Sequence, residues 1–384
     1  MNKPKVISVF GTRPEAHKMA PVIRELNKDG RIESKVCVTA QHREMLDIGL
    51  NAFHIEPDID LNIMKHNQSL TDIMLGALTG LGDVFKTEKL DLCLVHGDTL
   101  TTFAASLAAF YHGVKVGHVE AGLRTGDKYA PYPEEINRRL TGVLADIHFA
   151  PTRLAKKNLL NESVKADTVF VTGNTALDVM GYTVKEDYAF KEPLLSGVDY
   201  AGQKVIMMTA HRSENIGRGI GNICRAVLRI LNDFPETFVV YPVHLNPKVR
   251  DTVFPLLGGH ERALLTDPVD ILDLHNLIKR SYMVMSDSGG IQEEAPFLNK
   301  PVLVMRAVTE RPEGLATGAL RLTGVDEDVI YNNAKELIMD SDAYTRMANA
   351  KNPFGDGHAS ERIVQAILYY FGVTNKKPEE FDNE

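Results

Sequence analysis

Short apolar runs alternate with longer stretches of helical periodicity along most of the chain. Strands are predicted at the apolar runs Val6–Phe10, Lys35–Thr39, Leu92–Val95, Lys115–Val119, Ile147–Ala150, Thr168–Val171, Val205–Ala210, Thr237–Tyr241, Ala263–Thr266, Met283–Ser286 and Val302–Met305. Helices are predicted between them at Glu15–Asp29, Ser69–Lys86, Thr99–His112, Glu134–Ala145, Ile220–Asn232 and Gln292–Leu298. Because the apolar runs lack polar alternation, both faces of each strand should be covered, as in a parallel α/β sheet.

The alternation is interrupted once, between Asn174 and Gln203, where helical pattern gives way to Pro193, Gly197 and Gly202. A chain of 384 residues suits two domains of about 100–200 residues each. We therefore predict an α/β fold of two Rossmann-like domains whose parallel sheets face a central cleft, with ligands beyond the strand ends. The predicted division is a first domain at 1–174, a connecting region at 175–202, a second domain at 203–360, a C-terminal helix at 361–374 and a tail at 375–384.

Composition narrows the classes of partner. The formal net charge is −8 and the chain has no dense Lys/Arg cluster, so we expect no nucleic-acid partner. No apolar run approaches the roughly 20 residues of a membrane span, and Val6–Phe10 is too short for a signal sequence. Cys37 and Cys93 lie in apolar runs and Cys224 is far from both. We expect free buried thiols, no membrane partner and a cytoplasmic protein.

Familiar cofactor motifs are missing. No G-x-G-x-x-G directly follows a strand, and the nearest approach, Gly219-Ile-Gly221, comes some nine residues after one. No P-loop occurs, and histidines and cysteines show no zinc spacing. The expectation is therefore a protein that uses no nicotinamide, no metal ion and no other cofactor.

A candidate phosphate-binding turn follows the strand Met283–Ser286. Ser288 is suited to cap a helix, and Gly289 and Gly290 would let backbone N–H groups approach an anion at the positive end of that helix. Glu294, about a turn and a half later, could accept hydrogen bonds from a ribose diol. The alternative is a capped helix whose glycines serve packing.

The tripeptide Arg-Pro-Glu occurs twice, each time just after a predicted strand. Proline fits the first turn of a helix, where its missing N–H is not needed. Arg13 and Arg311 would then stand at strand ends, and together with Lys18 they offer the cations that a diphosphate requires. Taken alone, Arg13 could also be an ordinary surface cation.

Three acids of the first half follow strands or open a helix, namely Asp98, Glu120 and Glu134. If they converge at one sheet edge, their charges raise one another's pKa and supply an acid and a base together. His211 follows a strand of the second half and could bind phosphate or carry a proton. Each also has a structural reading: Asp98 as a helix cap, Glu134 as a first-turn acid, and His211 as a hydrogen-bonded cap.

Nine motifs, in order over nearly the whole chain, carry a resemblance to a known family. They are Phe-Gly-Thr-Arg-Pro-Glu-Ala-His-Lys-Met-Ala-Pro at 10–21, Thr-Ala-Gln-His-Arg-Glu-Met-Leu at 39–46, Val-His-Gly-Asp-Thr at 95–99, Gly-His-Val-Glu-Ala-Gly-Leu-Arg-Thr at 117–125, Pro-Glu-Glu-Ile-Asn-Arg at 133–138, Thr-Gly-Asn-Thr at 172–175, His-Leu-Asn-Pro at 244–247, Asp-Ser-Gly-Gly-Ile-Gln-Glu-Glu-Ala-Pro at 287–296 and Thr-Glu-Arg-Pro-Glu at 309–313. The chain resembles the non-hydrolysing UDP-N-acetylglucosamine 2-epimerases.

The resemblance implies a GT-B type fold, a final helix that packs back on the first domain, and a homodimer. It implies interconversion of UDP-GlcNAc and UDP-ManNAc without NAD or metal, in the supply of cell-surface polysaccharide. Its catalytic carboxylates correspond to Asp98, Glu120 and Glu134, and His211 matches its UDP-binding set and is also a candidate catalytic residue. Its UDP-sugar set corresponds to Arg13, Lys18, Val269, Leu274, Ser288, Gly289, Gly290, Glu294 and Arg311, with Val269 and Leu274 standing where many members have Gln and Phe near the uracil.

Many bacterial members also bind a second UDP-GlcNAc as an activator, and Gln41, Arg212 and His244 match residues used for it. Glu44 and Asn67 depart from that pattern. Four alternatives remain at this point: an epimerase of another UDP-2-acetamido sugar, a GT-B glycosyltransferase, a hydrolysing epimerase that releases UDP, and a non-catalytic sensor of sugar nucleotides.

Overall fold

The computed structural model describes residues 3–382, so the first two residues of the predicted first domain and the last two of the predicted tail lie outside it. The chain divides into two compact units. The first contains residues up to Val179 together with Phe354 onward, and the second contains Met180–Pro353. Within residues 3–382, no helix has both the length and the apolar character needed to cross a bilayer.

The first unit is built on a seven-stranded sheet with all neighbours parallel. Its strands are β1 Lys5–Phe10, β2 Glu33–Val38, β3 Ile59–Asp60, β4 Leu92–His96, β5 Lys115–Val119, β6 Ile147–Ala150 and β7 Val169–Val171. The helices are α1 Arg13–Lys28, α2 Arg43–Phe53, α3 Leu70–Thr87, α4 Leu100–Tyr111, α5 Glu134–Leu144, α6 Arg153–Asn161 and the first part of α7 Thr175–Thr183, whose last residues belong to the second unit. The strand order is β3-β2-β1-β4-β5-β6-β7. Successive strands are added on one side of β1 up to β3 and on its other side from β4 onward, so the switch point lies between β1 and β4. Such switch points are where open α/β sheets bind ligands.

The second unit repeats this arrangement with six parallel strands. They are β8 Lys204–Thr209, β9 Thr237–Pro242, β10 Ala263–Thr266, β11 Met283–Ser286, β12 Val302–Val304 and β13 Leu320–Leu322. The helices are α8 Pro193–Ser196, α9 Arg218–Asp233, α10 Pro247–Leu257, α11 Ile271–Arg280, α12 Gly289–Phe297, α13 Pro312–Ala316, α14 Glu327–Met339 and α15 Ser341–Ala348. The order β10-β9-β8-β11-β12-β13 places its switch point between β8 and β11.

The last helix, α16 Ala359–Tyr370, lies in the first unit and packs against α1. Its apolar face, including Ile363 and Ile367, joins the buried cluster that contains Met19 and Leu26 of α1. The carboxylate of Asp178 accepts backbone N–H groups at the start of this helix. The final helix therefore completes a core begun by the first helix of the chain.

The predicted α/β class of two parallel-sheet domains is confirmed, and each predicted strand is present to within two residues. Two edge strands, β3 and β13, were not predicted, because they are only two and three residues long and give no clear apolar run. Helix α12 begins at Gly289 and not at the predicted Gln292. The two glycines that were predicted to form a turn are the first residues of the helix.

Candidate active site

The first Arg-Pro-Glu opens α1, with Thr12 as the N-cap and Pro14 in the first turn. Glu15 is buried, and its carboxylate accepts the backbone N–H groups of Gly11 and Thr12. It also accepts the hydroxyls of Thr99 and Thr102 at the start of α4. Burial raises the pKa of Glu15, and these hydrogen bonds oppose the rise. This glutamate ties together the loops after β1 and β4, on either side of the switch point.

Arg13 and Lys18 lie on α1 but have different surroundings. Arg13 is half-buried, makes no ion pair within the described part of the chain, and has its pKa lowered by burial. Lys18 donates from Nζ to Oε1 of Glu120 at 2.5 Å. A half-buried guanidinium without a carboxylate partner is suited to receive an anionic ligand.

Glu120 follows β5 and is held by groups from three other segments. Its Oε1 accepts from Lys18 and, at 2.9 Å, from Nδ2 of Asn174. Its Oε2 lies 3.7 Å from Nε2 of His96, the last residue of β4. The backbone of Glu120 has a φ of +62°, a left-handed conformation that is strained for a residue with a side chain. Such strain is concentrated at functional sites, so it supports Glu120 as a candidate functional residue.

Asp98 follows β4 and is held by Arg138, whose Nη2 donates to Oδ2 at 2.5 Å. The possible helix-cap role falls to Thr99 instead, because the Thr99 hydroxyl accepts the N–H of Thr102. Burial is the main cause that raises the pKa of Asp98, and Arg138 opposes it. The negative charges of Glu120 and Glu134 add to the rise.

Glu134 is the first residue of α5, consistent with a first-turn acid. One of its carboxylate oxygens, Oε2, is buried and has no hydrogen-bond partner among residues 3–382. Its charge is close enough to Asp98 to raise the pKa of that group. The first unit therefore brings Asp98, Glu120 and Glu134 into one electrostatic cluster at the carboxyl ends of its strands.

In the second unit, Asp287 anchors the segment that carries His211. Its Oδ2 accepts the N–H groups of His211 and Arg212 at 2.9 Å each and the side-chain amide of Asn215 at 3.0 Å. Nδ1 of His211 lies 3.4 Å from Oδ1 of Asp287, and its ring stacks on that of His244 with centroids 5.4 Å apart. Burial lowers the pKa of His211, while Asp287 opposes the change. At neutral pH this favours a neutral imidazole.

The predicted phosphate-binding turn leads into α12. Ser288 occupies the N-cap position, but the prediction that its side chain caps the helix is wrong, because its hydroxyl makes no capping bond. Its N–H instead donates to the hydroxyl of Ser286. A Cβ on Gly289 would lie 3.2 Å from Nη1 of Arg311. The guanidinium therefore stands at the positive end of the helix, where the second Arg-Pro-Glu places it at the N-cap of α13.

Other predicted positions of this unit lie around the same sheet edge or on its helices. Nε of Arg311 donates to Glu293 at 2.8 Å, and Oε2 of Glu294 lies 3.6 Å from Nε2 of the buried His275. Both predicted uracil-site residues are half-buried, Val269 in the loop before α11 and Leu274 within α11.

The three residues matched to an activator site lie in different units. Gln41 is in the first unit, where its side-chain oxygen accepts from Thr101 and its backbone oxygen accepts from Gln68. Arg212 and His244 lie in the second, beside His211. Nothing in their contacts within each unit identifies an activator site.

Five residues with evident roles in these clusters were not singled out by sequence reasoning: Glu15, His96, Arg138, Asn174 and Asp287. All lie within the quoted motifs, so a signal was present. It was not recognised because a buried carboxylate or histidine inside a motif gives no sign of its partners until the strands are paired.

The fold and the two clusters define a two-domain α/β protein of the GT-B type. The sequence model described as UDP-N-acetylglucosamine 2-epimerase matches residues 24–368. The chain belongs to the UDP-N-acetylglucosamine 2-epimerase family.

Individual relatives agree with this assignment over their full lengths. The UDP-N-acetylglucosamine 2-epimerase of Bacillus subtilis is 54% identical over 382 residues, covering 99% of each chain. The Neisseria meningitidis UDP-GlcNAc 2-epimerase, solved bound to UDP-GlcNAc, is 50% identical with a TM-score of 0.87, covering 95% of this chain and 99% of that one. S. aureus MnaA, solved with UDP, is 51% identical with a TM-score of 0.89, covering 99% and 100%.

Proposed function

We propose that the protein is a non-hydrolysing UDP-GlcNAc 2-epimerase that interconverts UDP-GlcNAc and UDP-ManNAc. The observation that carries the proposal is the cluster of Asp98, Glu120 and Glu134 in a protein of this family. A glycosyltransferase of the same fold needs an acceptor site and usually one base, whereas inversion at a carbon needs proton-handling groups for both faces of the sugar.

The chemistry explains why cations must accompany the acids. The hydrogen on C2 of the sugar is not acidic, because no neighbouring carbonyl can hold the negative charge. When the C1–O bond breaks, its electron pair leaves with UDP and positive charge develops at C1. The C2 proton then becomes removable, and the C2–H electrons form the double bond of 2-acetamidoglucal. Protonation of C2 from the other face and return of the UDP oxygen to C1 complete the epimerisation.

The second unit is suited to bind the departing nucleotide. The amino end of α12, from Ser288 to Gly290, offers N–H groups, and Arg311 adds a cation beside Gly289. These groups stabilise a diphosphate leaving group and keep it in position for the return step. We propose that Arg13 and Lys18 add positive charge to the bound diphosphate, that Glu294 accepts from the ribose, and that Val269 and Leu274 border the uracil. His211 would bind phosphate or carry a proton.

The three carboxylates would share the proton transfers at C2. Burial and the neighbouring charges raise the pKa of Asp98, so it retains a proton to higher pH than a free aspartate and suits the role of acid. Glu120, with Lys18 and Asn174 on one oxygen, suits the role of base. Glu134 would share or relay the proton.

The direct test is NMR of UDP-GlcNAc incubated in D₂O with the purified protein alone. We expect a UDP-ManNAc signal and deuterium at C2 of both sugars, because elimination exposes that position to solvent protons. Conversion with the original hydrogen retained, or activity that requires added nicotinamide, contradicts the mechanism. Release of free ManNAc identifies a hydrolysing enzyme, and an unchanged sugar excludes an epimerase of this substrate.

We further propose a cytoplasmic homodimer that supplies ManNAc units for cell-surface polysaccharide. The three cysteines are free and buried, which suits a reducing compartment. On α5, Ile136, Leu140 and Val143 form one exposed apolar row, and neighbouring α4 exposes Phe110 and Tyr111. A patch of this kind is typical of an interface, and a second copy of the chain is the occupant we propose.

A further inference from the structure

His96 is a buried histidine at the end of β4 that lacks ordinary hydrogen bonding. Only 3% of its surface is exposed, and neither ring nitrogen has a hydrogen-bond partner in another residue among residues 3–382. The two buried histidines of the next strands differ, because Nε2 of His118 bonds to the carbonyl of Gly97 and Nε2 of His148 to that of Gly142. Two unsatisfied buried nitrogens are destabilising, so stability does not explain why a histidine occupies this position.

The ring faces one catalytic carboxylate. Nε2 of His96 lies 3.7 Å from Oε2 of Glu120, slightly beyond hydrogen-bond distance, while Oε1 of Glu120 accepts from Lys18 and Asn174. Gly97, directly after His96, takes a φ of +67°, and a Cβ there would lie 3.4 Å from Oε2 of Glu120. A displacement of under about 1 Å would bring the ring nitrogen to the usual N···O distance.

Burial favours the neutral form of the imidazole in this position. Burial lowers the pKa of His96 to about 4, Glu120 opposes the change and Lys18 adds to it. The other titratable neighbour is His118, whose pKa is itself lowered by burial. A neutral imidazole carries one N–H and one lone pair, and either nitrogen can hold the hydrogen. With the hydrogen on Nε2, the ring can therefore donate to an ionised carboxylate without changing its own charge.

We propose that His96 is a positioning residue that sets the proton affinity of Glu120 during epimerisation. Its Nε2–H closes on Oε2 and stabilises ionised Glu120 before the C2 proton is taken, and this hydrogen bond weakens once the carboxylate has received the proton. The inference rests on the proposed function, because it requires Glu120 to handle that proton. It assigns the role to a residue that touches the carboxylate and not the sugar.

The test replaces the ring with one of similar shape that has no nitrogen, His96→Phe. We expect kcat to fall about 10- to 100-fold, the worth of a hydrogen bond to a charged group, with KM for UDP-GlcNAc within about threefold. Loss of a donor raises the pKa of Glu120, so the acidic limb of the kcat/KM profile should move to higher pH. Tm should stay equal or rise, since two orphaned polar atoms are removed. His96→Gln, which restores a donor, should recover part of kcat.

A matched control is His148→Phe on β6, which removes a buried histidine outside the site whose Nε2 is hydrogen-bonded to the carbonyl of Gly142. It should lower Tm and leave kcat unchanged, the reverse of the His96→Phe result. A double-mutant cycle with Glu120→Gln adds a second check, because a residue acting through Glu120 should have little further effect in that background.

The outcomes separate the two proposals. If the wild type epimerises UDP-GlcNAc but His96→Phe keeps full turnover and an unchanged pH profile, the inference is wrong and the proposed function stands. A large loss of Tm in His96→Phe also overturns it, because the ring is then structural. If the wild type leaves UDP-GlcNAc unchanged, the proposed function itself fails.

Discussion

Two copies of one tripeptide show how the environment of a residue decides its role. Glu15 of the first Arg-Pro-Glu is buried and ties two loops together, whereas Glu313 of the second is only partly buried. Arg13 makes no ion pair within residues 3–382, while Arg311 pairs with Glu293. The repeated motif predicted helix starts correctly, because proline geometry is local. The partners of each charged side chain depend on which strands lie beside it.

At the same scale, Asp98→Asn tests the assignment of the acid. The amide cannot release or hold the proton but can still accept from Arg138, so the local structure should survive. We expect turnover to fall about 10²- to 10⁴-fold, with UDP affinity within about threefold, as measured by NMR progress curves and by calorimetric titration with UDP. Asp83→Asn, an exposed acid paired with Lys86 on α3, is the control and should behave as the wild type. Near-normal turnover of Asp98→Asn contradicts the assignment.

The three acids that we propose as catalytic could be predicted because each stands just after a strand or at a helix start. His96 could not, since a histidine closing the run Leu92–His96 looks like part of the core. Only the pairing of β4 with β5, with His96 opposite Val119, brings its ring beside Glu120. Arg138 was missed for a similar reason, because its position on α5 does not reveal that it reaches Asp98.

At the scale of elements, apolar runs located every strand longer than three residues, because continuous burial leaves a continuous pattern. The short edge strands β3 and β13 have too few residues to show one. The start of α12 was misplaced because glycine has low helix propensity, yet Gly289 is helical in this structure. Tertiary packing explains why this helical position is a glycine, since any Cβ there would crowd Arg311.

Gly289→Ala tests the contact between α12 and Arg311. The added methyl should displace the guanidinium from the helix N-terminus, and we expect UDP to bind roughly 10-fold more weakly, about 1.4 kcal/mol. Tm should change little, since alanine favours helix. Gly181→Ala, where a Cβ meets no atom within 4 Å, is the matched control and should retain UDP affinity. Unchanged UDP affinity in Gly289→Ala would argue against this part of the site.

At the scale of the whole molecule, the proposed homodimer is tested by Val143→Asp. Val143 is 82% exposed on the apolar row of α5, so a charge there would be buried without a partner in a dimer but solvated in a monomer. We expect a dimer mass for the wild type and a monomer mass for the variant, measured by light scattering after size exclusion. Met339→Asp, which changes another exposed apolar residue, on α14, should remain dimeric. A dimeric Val143→Asp would place the interface elsewhere.

The sequence by itself determined the fold class, the order of the elements and the places where strands end, because burial and periodicity produce local patterns of apolar and polar residues. It also carried the family resemblance and most charged site residues. Only the tertiary structure decided which of those residues meet. Lys18 and Asn174 hold Glu120 across separations of 102 and 54 residues, and Arg138 reaches Asp98 across 40. Contacts over such distances follow from strand register and helix packing, which no local pattern specifies.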